Sequence, residues 1–331
     1  MLGGVLALLA AATFGFNAVA IRRGVLTGSV AQGLAITVPI AIPIFLIAVI
    51  FTGGLSLIAD FSVYSIVLFS ISGAVHFNLG RYANYRATKA MGANLVGPII
   101  SANLIITIGL AIIFLNEEMT PLRVIGILLI ILGLLTLLRS PGVAGKGVKE
   151  DETKNFQPKL AEGWVFSIMC AAIFGSTPIL IRMAFLDSET EGLGPGLAGG
   201  LIAYISATVV LGLYYAVKPS VLKHCLSIDR QAAKWFVLTG FLVCASHMFR
   251  FMALAVAPVS VVSPLVQTSG IFRTILGWFI NRDYEVFDRW VLSGIFITIL
   301  GAVALTLSTD LFLSLVNLPN SIERFFQLSW P

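Results

Sequence analysis

Apolar residues run along this chain in long blocks, with no strict alternation of apolar and polar positions. The blocks cover about residues 2–21, 31–52, 63–86, 93–115, 121–139, 163–186, 197–217, 233–256, 259–281 and 289–309. Blocks of this length match a hydrocarbon core of roughly 30 Å crossed at 1.5 Å per residue. The pattern predicts an all-α integral membrane protein with ten transmembrane helices. The strands of a membrane barrel would instead alternate residue by residue. The first block carries no basic n-region and no cleavage-like end before Arg22, so it reads as a retained helix. One long polar stretch, PGVAGKGVKEDETKNFQPK, is rich in glycine, charge and proline and reads as a linker between two halves. The predicted organisation is a five-helix repeat over 1–140, a polar linker over 141–161, a second repeat over 162–309 and a tail over 310–331. For the tail, an interfacial segment and a disordered end are both open readings.

The two halves repeat one another. AAATFGFNAVAIRR superposes on CAAIFGSTPILIRM with a constant offset of 160 through Phe14-Gly15 and Phe174-Gly175. Further on, GANLVGPII pairs with PVSVVSPLV through Pro98 and Pro264, and Gly126 and Gly133 pair with Gly294 and Gly301. A repeat with an odd number of spans must enter the membrane from the opposite side in its second copy. The expectation is therefore two inverted five-helix repeats around a central cavity, with Pro98 and Pro264 as gating breaks.

Composition agrees with the block pattern: 58% of the 331 residues are hydrophobic, 11% are charged, and the mean hydropathy is +0.97. A soluble domain of this size is excluded. The net charge of +5 needs no nucleic-acid partner, because basic cytoplasmic loops alone produce it. With ten spans, fourteen lysines and arginines fall on one side, Arg22, Arg23 and Arg282 among them, and three on the other. The count predicts a multi-pass protein of the cell (inner) membrane with both termini outside. Cys170, Cys225 and Cys244 have neither paired nor metal-ligand spacing, so no metal and no cofactor are expected.

The chemistry lies in polar residues inside the spans. HFNLGRYANYR places His76 near the middle of the third block with Arg81 beyond it, and HMFR places His247 and Arg250 in the eighth. The ninth block adds Gln267 and Arg273. A charged side chain at mid-span costs roughly 2.5–3.5 kcal/mol on insertion scales. Yet all sixteen acidic residues, including Glu117, Glu118, Asp187, Asp283 and Glu285, fall in loops, the tail or helix ends. The arginines should therefore face a hydrated cavity and be satisfied by an anionic ligand or by carbonyls at helix breaks. The candidate substrate site comprises Arg81, Arg250 and Arg273, with His76, His247 and Gln267 orienting the ligand and Asn17 and Thr177 lining the cavity. The histidines could couple protons or serve structure. No catalytic residue is expected, because HExxH and GxSxG are absent and the glycine spacing in GLGPGLAGG follows a span and reads as a loop.

TFGFNAVAIRR and IFGSTPILIRM resemble the aromatic–glycine opening of the drug/metabolite transporter superfamily. LNEEMTPLRVIGILLIILG resembles the glutamate, threonine and glycine pattern of its EamA-like branch. The resemblance spans about residues 1–310. In the second half NRDYEVFDRWVLSG offers Asp283 or Glu285 for the glutamate but no threonine three residues later. The resemblance implies ten helices, a central cavity, alternating access and no covalent chemistry. Asn17 and Thr177 stand where related small multidrug exporters carry a membrane glutamate, which disfavours cation export by that mechanism. The reading is a secondary transporter, not an enzyme, that moves a small polar anionic metabolite. A carrier of neutral or zwitterionic solutes such as amino acids, a membrane enzyme acting on lipid-linked anions, and a non-transporting scaffold are the alternatives. Partners would be the small-molecule substrate and the lipid bilayer; a counter-transported ion or metabolite and a monomeric or homodimeric state stay open.

Overall fold

The computed structural model describes residues 2–116, 119–137, 139–140, 158–306 and 326–328. Most of the linker, residues 141–157, and most of the tail lie outside the described residues, as do Glu117 and Glu118. The described chain is built from helices: α1 (Leu2–Thr27), α2 (Val30–Phe51), α3 (Val63–Met91), α4 (Ala93–Leu115), α5 (Pro121–Leu137), α6 (Leu160–Asp187), α7 (Leu193–Val217) and α8 (Arg230–Val256). α9 comes in two pieces, Val259–Gln267 and Ser269–Ile280, and α10 covers Arg289–Thr306. Among the described residues, seven of these helices, α1–α4 and α6–α8, are long and apolar enough to cross a membrane; the apolar parts of α5, α9 and α10 are shorter. Large apolar side chains such as Leu9, Ile50, Leu213, Phe241 and Phe279 point outward, as a lipid-facing surface requires.

Local sequence sets the helix starts. Ser29 and Gln32 form a reciprocal capping box at α2, Ser62 accepts from the Ser65 amide at α3, and Asp229 accepts from Gln231 and Ala232 at α8. A proline stands one turn before two of the helix breaks and inside the third. α4 tightens at Ala102, four residues after Pro98, and α9 tightens at Thr268, four residues after Pro264. In both, the amide at the break bonds three residues back: Ala102 to Ile99 O at 3.1 Å and Thr268 to Leu265 O at 3.1 Å. In α2 the break falls at Pro39, where the Ala41 amide turns to Val38 O at 3.4 Å and leaves the Thr37 carbonyl free of a helical partner.

The GLGPGLAGG stretch, read from sequence as a loop, is helical from Leu193. Pro195 sits in the first turn, where its missing amide costs nothing, and the glycines are packing surfaces. A Cβ at Gly196 would lie 2.8 Å from Met252 Cα, and one at Gly199 2.8 Å from the Phe69 ring. A glycine motif followed by membrane helix thus serves close helix approach.

The contacts come in matched sets. α1 packs against α8 and α9, and α6 packs against α3 and α4. α2 lies on α8 as α7 lies on α3, and α5 lies along α10. Small residues make the tight crossings. A Cβ at Gly15 would meet Ser269 O at 2.9 Å in α9, and one at the corresponding Gly175 would meet Asn103 O at 2.7 Å in α4. On the α5–α10 seam a Cβ at Gly301 would sit 2.7 Å from Gly126 O and 2.8 Å from Ile130 N. Those obstacles are backbone and cannot rotate away. Gly301→Ala is expected to destabilise the protein by about 1–3 kcal/mol in thermal unfolding. Gly109→Ala, with nothing within 4 Å, should leave it unchanged or slightly more stable.

Candidate functional site

A cavity of about 150 Å³ lies at the centre, lined by residues of α1, α3, α4, α6, α8 and α9. The side chains of Asn17, His76, Arg81, His247, Arg250 and Arg273 all border it, and no acidic side chain does among the described lining residues. Pro178 borders it beside Thr177, which is itself fully buried. The side chains of Gln267 and Pro264 lie outside the described residues.

The stretch HFNLGRYANYR owes its position to an unusual turn. Residues Ala74–Gly80 of α3 are π-helical. Bonding five residues apart, instead of four, brings His76 and Arg81 onto one side of α3. The turn is tightly held. A Cβ at Gly73 would run into the Ala203 carbonyl of α7, and one at Gly80 would lie 2.7 Å from the Phe174 ring. Asn78 donates to Ala207 O at 3.1 Å and fastens the same turn to α7.

On this face of the cavity the polar groups are bonded. His76 Nδ1 lies 2.8 Å from Thr177 Oγ1. Its ring stacks on Phe174 at 4.3 Å between centroids. Arg81 donates to Thr37 O, the carbonyl freed by the Pro39 break, at 2.8 Å and to Tyr204 Oη at 2.9 Å. Its guanidinium also lies over the Phe77 and Tyr204 rings at 5.0 and 5.6 Å. Tyr85, 1% exposed, completes the knot by bonding Thr37 Oγ1 at 3.2 Å. Arg81 is thus held by a carbonyl at a helix break, one of the two solutions the sequence left open.

The face made by α1, α8 and α9 is different. Phe14 meets the His247 ring edge-on at 5.0 Å, where Phe174 stacks on His76, and the two histidine rings are 5.0 Å apart. Yet Asn17 Oδ1, His247 Nδ1, Ser263 Oγ and Arg273 Nε are buried with no hydrogen-bond partner. Arg250, 8% exposed, lines the same cavity, and none of its guanidinium hydrogen bonds is made to a described residue. Arg273 reaches the cavity because α4 has no side chain in its way: a Cβ at Gly97 would land on the guanidinium. Sequence reasoning did not single out Gly97, although its place beside Pro98 was the available signal.

Sequence reasoning also missed a buried charged junction beside the cavity, next to its lining residues Ile21, Thr88 and Ala93. Arg22, placed by sequence in a loop, is in α1 and fully buried. It donates to Tyr284 O at 2.7 Å and to Thr88 O at 2.9 Å, and lies 3.7 Å from Glu285 Oε1. Glu285 in turn accepts from the first amides of α4, Ala93 at 2.8 Å and Asn94 at 2.9 Å. A carboxylate suits that position because unpaired amides and the helix dipole converge there. Burial pushes the Glu285 carboxyl above the ordinary carboxylate range, while Arg22 and the two amides pull it back. Gly92 turns the chain into α4 with φ +83°, and a Cβ there would meet Glu285 Oε2 at 2.8 Å. Of the two acids that the family resemblance offered, Glu285 is buried in this junction and Asp283 is exposed. Among the described residues, no cluster of histidine, cysteine and acidic groups could hold a metal ion.

Known proteins share this architecture. A solved crystal structure of a protein matches over 92% of this chain and 95% of its own, with a TM-score of 0.53 and 14% identity, a likeness of fold alone. The helices long enough to span a bilayer make this a multi-pass membrane protein. Residues 1–139 match the model of the EamA-like transporter family.

Proposed function

We propose that this protein is a secondary transporter that moves a small anionic metabolite by alternating access. Its ten apolar helices would form two inverted five-helix repeats, joined by the 141–161 linker and followed by the 310–331 tail. The observation that carries the proposal is a pair of cavity arginines, Arg250 and Arg273, with no hydrogen-bond partner among the described residues, in a cavity whose described lining residues include no acid. Two guanidiniums in that state attract an anion, which supplies both charge and acceptors. The matched contacts of α1 and α6 support the inverted repeat, and the matched breaks after Pro98 and Pro264 support gating at those points. His76, His247 and Gln267 would orient the ligand, with Asn17 and Thr177 beside it. Arg81 adds positive field, while its two hydrogen bonds tie α3 to α2 and α7. The positive-inside count would place the Arg22 end in the cytoplasm and both termini outside.

Thermal-shift titration of the purified protein with matched anionic, zwitterionic and cationic metabolites tests this reading. An anion should stabilise the protein, and Arg250→Gln or Arg273→Gln should weaken that binding about 10- to 100-fold. Arg81→Gln should instead lower the melting temperature without ligand, because Thr37 O and Tyr204 Oη lose their donor. Stabilisation by neutral or cationic compounds alone would sink the proposal.

Gly97→Ala offers a second check without removing a charge. Its methyl group would displace the Arg273 guanidinium, so anion binding should fall as far as in Arg273→Gln. An unchanged affinity in Gly97→Ala would mean that the observed position of Arg273 is not the one that binds.

A further inference from the structure

The bonded and unbonded faces of the cavity are repeat counterparts. Phe174 and Thr177 follow one another in α6 as Phe14 and Asn17 do in α1, at the constant offset of 160. His76 in α3 meets the first pair, and His247 in α8 faces the second. On the α6 side the chain itself puts a hydroxyl, Thr177 Oγ1, on the histidine nitrogen. On the α1 side the same place holds Asn17, and both Asn17 Oδ1 and His247 Nδ1 are buried with no partner. The two residues are 5% and 3% exposed. An unsatisfied amide oxygen and ring nitrogen at buried positions are costly, so this pair calls for a group from outside the chain.

We infer that the transported anion carries a hydroxyl group, which binds between Asn17 and His247 while its charged end lies on Arg250 and Arg273. This rests on the anion-carrier reading above and deepens it. An amide oxygen only accepts, whereas the oxygens of a carboxylate or phosphate dianion also only accept. The anionic end of the ligand therefore cannot satisfy Asn17 Oδ1; a separate donor on the same molecule must. That donor is a hydroxyl rather than an ammonium. Arg81, Arg250 and Arg273 all border the cavity without an acidic lining residue among those described, so a second cation would enter a field of like charge. A hydroxyl also donates and accepts at once, and His247 Nδ1 and Ser263 Oγ can each take either role. The ligand hydroxyl does for His247 what Thr177 does for His76. The class is thus a small hydroxylated carboxylate or phosphate.

The test uses the full chain in detergent or nanodiscs and calorimetric titration with matched probes. Glycerate is compared with propionate, glycerol 3-phosphate with propyl phosphate, and serine serves as the zwitterion. The hydroxylated member of one pair should bind roughly tenfold tighter than its bare partner; the pair that binds identifies carboxylate or phosphate as the anionic end. Asn17→Thr supplies the hydroxyl from the chain, as Thr177 does. It should bring the two members of the pair to equal affinity, erasing the preference for the hydroxylated one. Equal affinity within both pairs, or a preference that survives in Asn17→Thr, overturns the inference and leaves the anion-carrier reading standing. Binding of serine with no loss in Arg250→Gln overturns both.

Discussion

Hydrocarbon provides no hydrogen bonds, so every guanidinium carried into a membrane must find acceptors in the protein, in water or in a ligand. The organisation of this molecule around its cavity follows from that requirement. Arg22 meets it with the carbonyls of Tyr284 and Thr88 and with Glu285. Arg81 meets it with the Thr37 carbonyl, which is available because α2 breaks at Pro39. In both cases a discontinuity in the backbone supplies the acceptor. The breaks therefore secure the charges as well as bend the helices. Arg250 and Arg273 have no such carbonyl among the described residues, and that difference separates arginines that hold the fold from arginines that can hold a ligand.

A second comparison makes the contrast sharper. An aromatic ring, a polar residue three positions on and a facing histidine occur both at Phe14, Asn17 and His247 and at Phe174, Thr177 and His76. The first set carries Asn17 and the second Thr177, and only the second has a hydrogen bond between the polar residue and the histidine. The π-helical turn adds a second asymmetry, since α3 contains one at Ala74–Gly80 and α8 is α-helical throughout.

Much of this was legible in the sequence. Block length gave the membrane helices, and the order of Gly15, Gly175, Pro98 and Pro264 anticipated both the tight crossings and the breaks. The cavity residues His76, Arg81, His247, Arg250 and Arg273 were identified by their polarity in apolar surroundings. What could not be read was which arginine is satisfied, because that depends on carbonyls freed in other helices, and a carbonyl leaves no trace in residue identity. The π turn was hidden for a related reason: HFNLG contains no residue that only a π-helix accepts. Arg22 and Glu285 looked like loop charges because they flank apolar blocks, yet their burial arises from three helix ends meeting at one point. The GLGPGLAGG stretch misled through its glycines, which in lipid mark close packing as readily as turns.

The junction at Glu285 connects to the cavity through α9. The second piece of that helix carries Arg273, and the loop that follows it carries Glu285, whose carboxylate acts on Arg273 as well as on Arg22. An anion arriving at Arg273 would take over part of that electrostatic role. It would then weaken the tie between α9 and the amides at the start of α4 that Glu285 caps. Ligand charge and the junction at Glu285 would thereby compete for the same cation, the differential interaction that any ligand-driven change of conformation must contain.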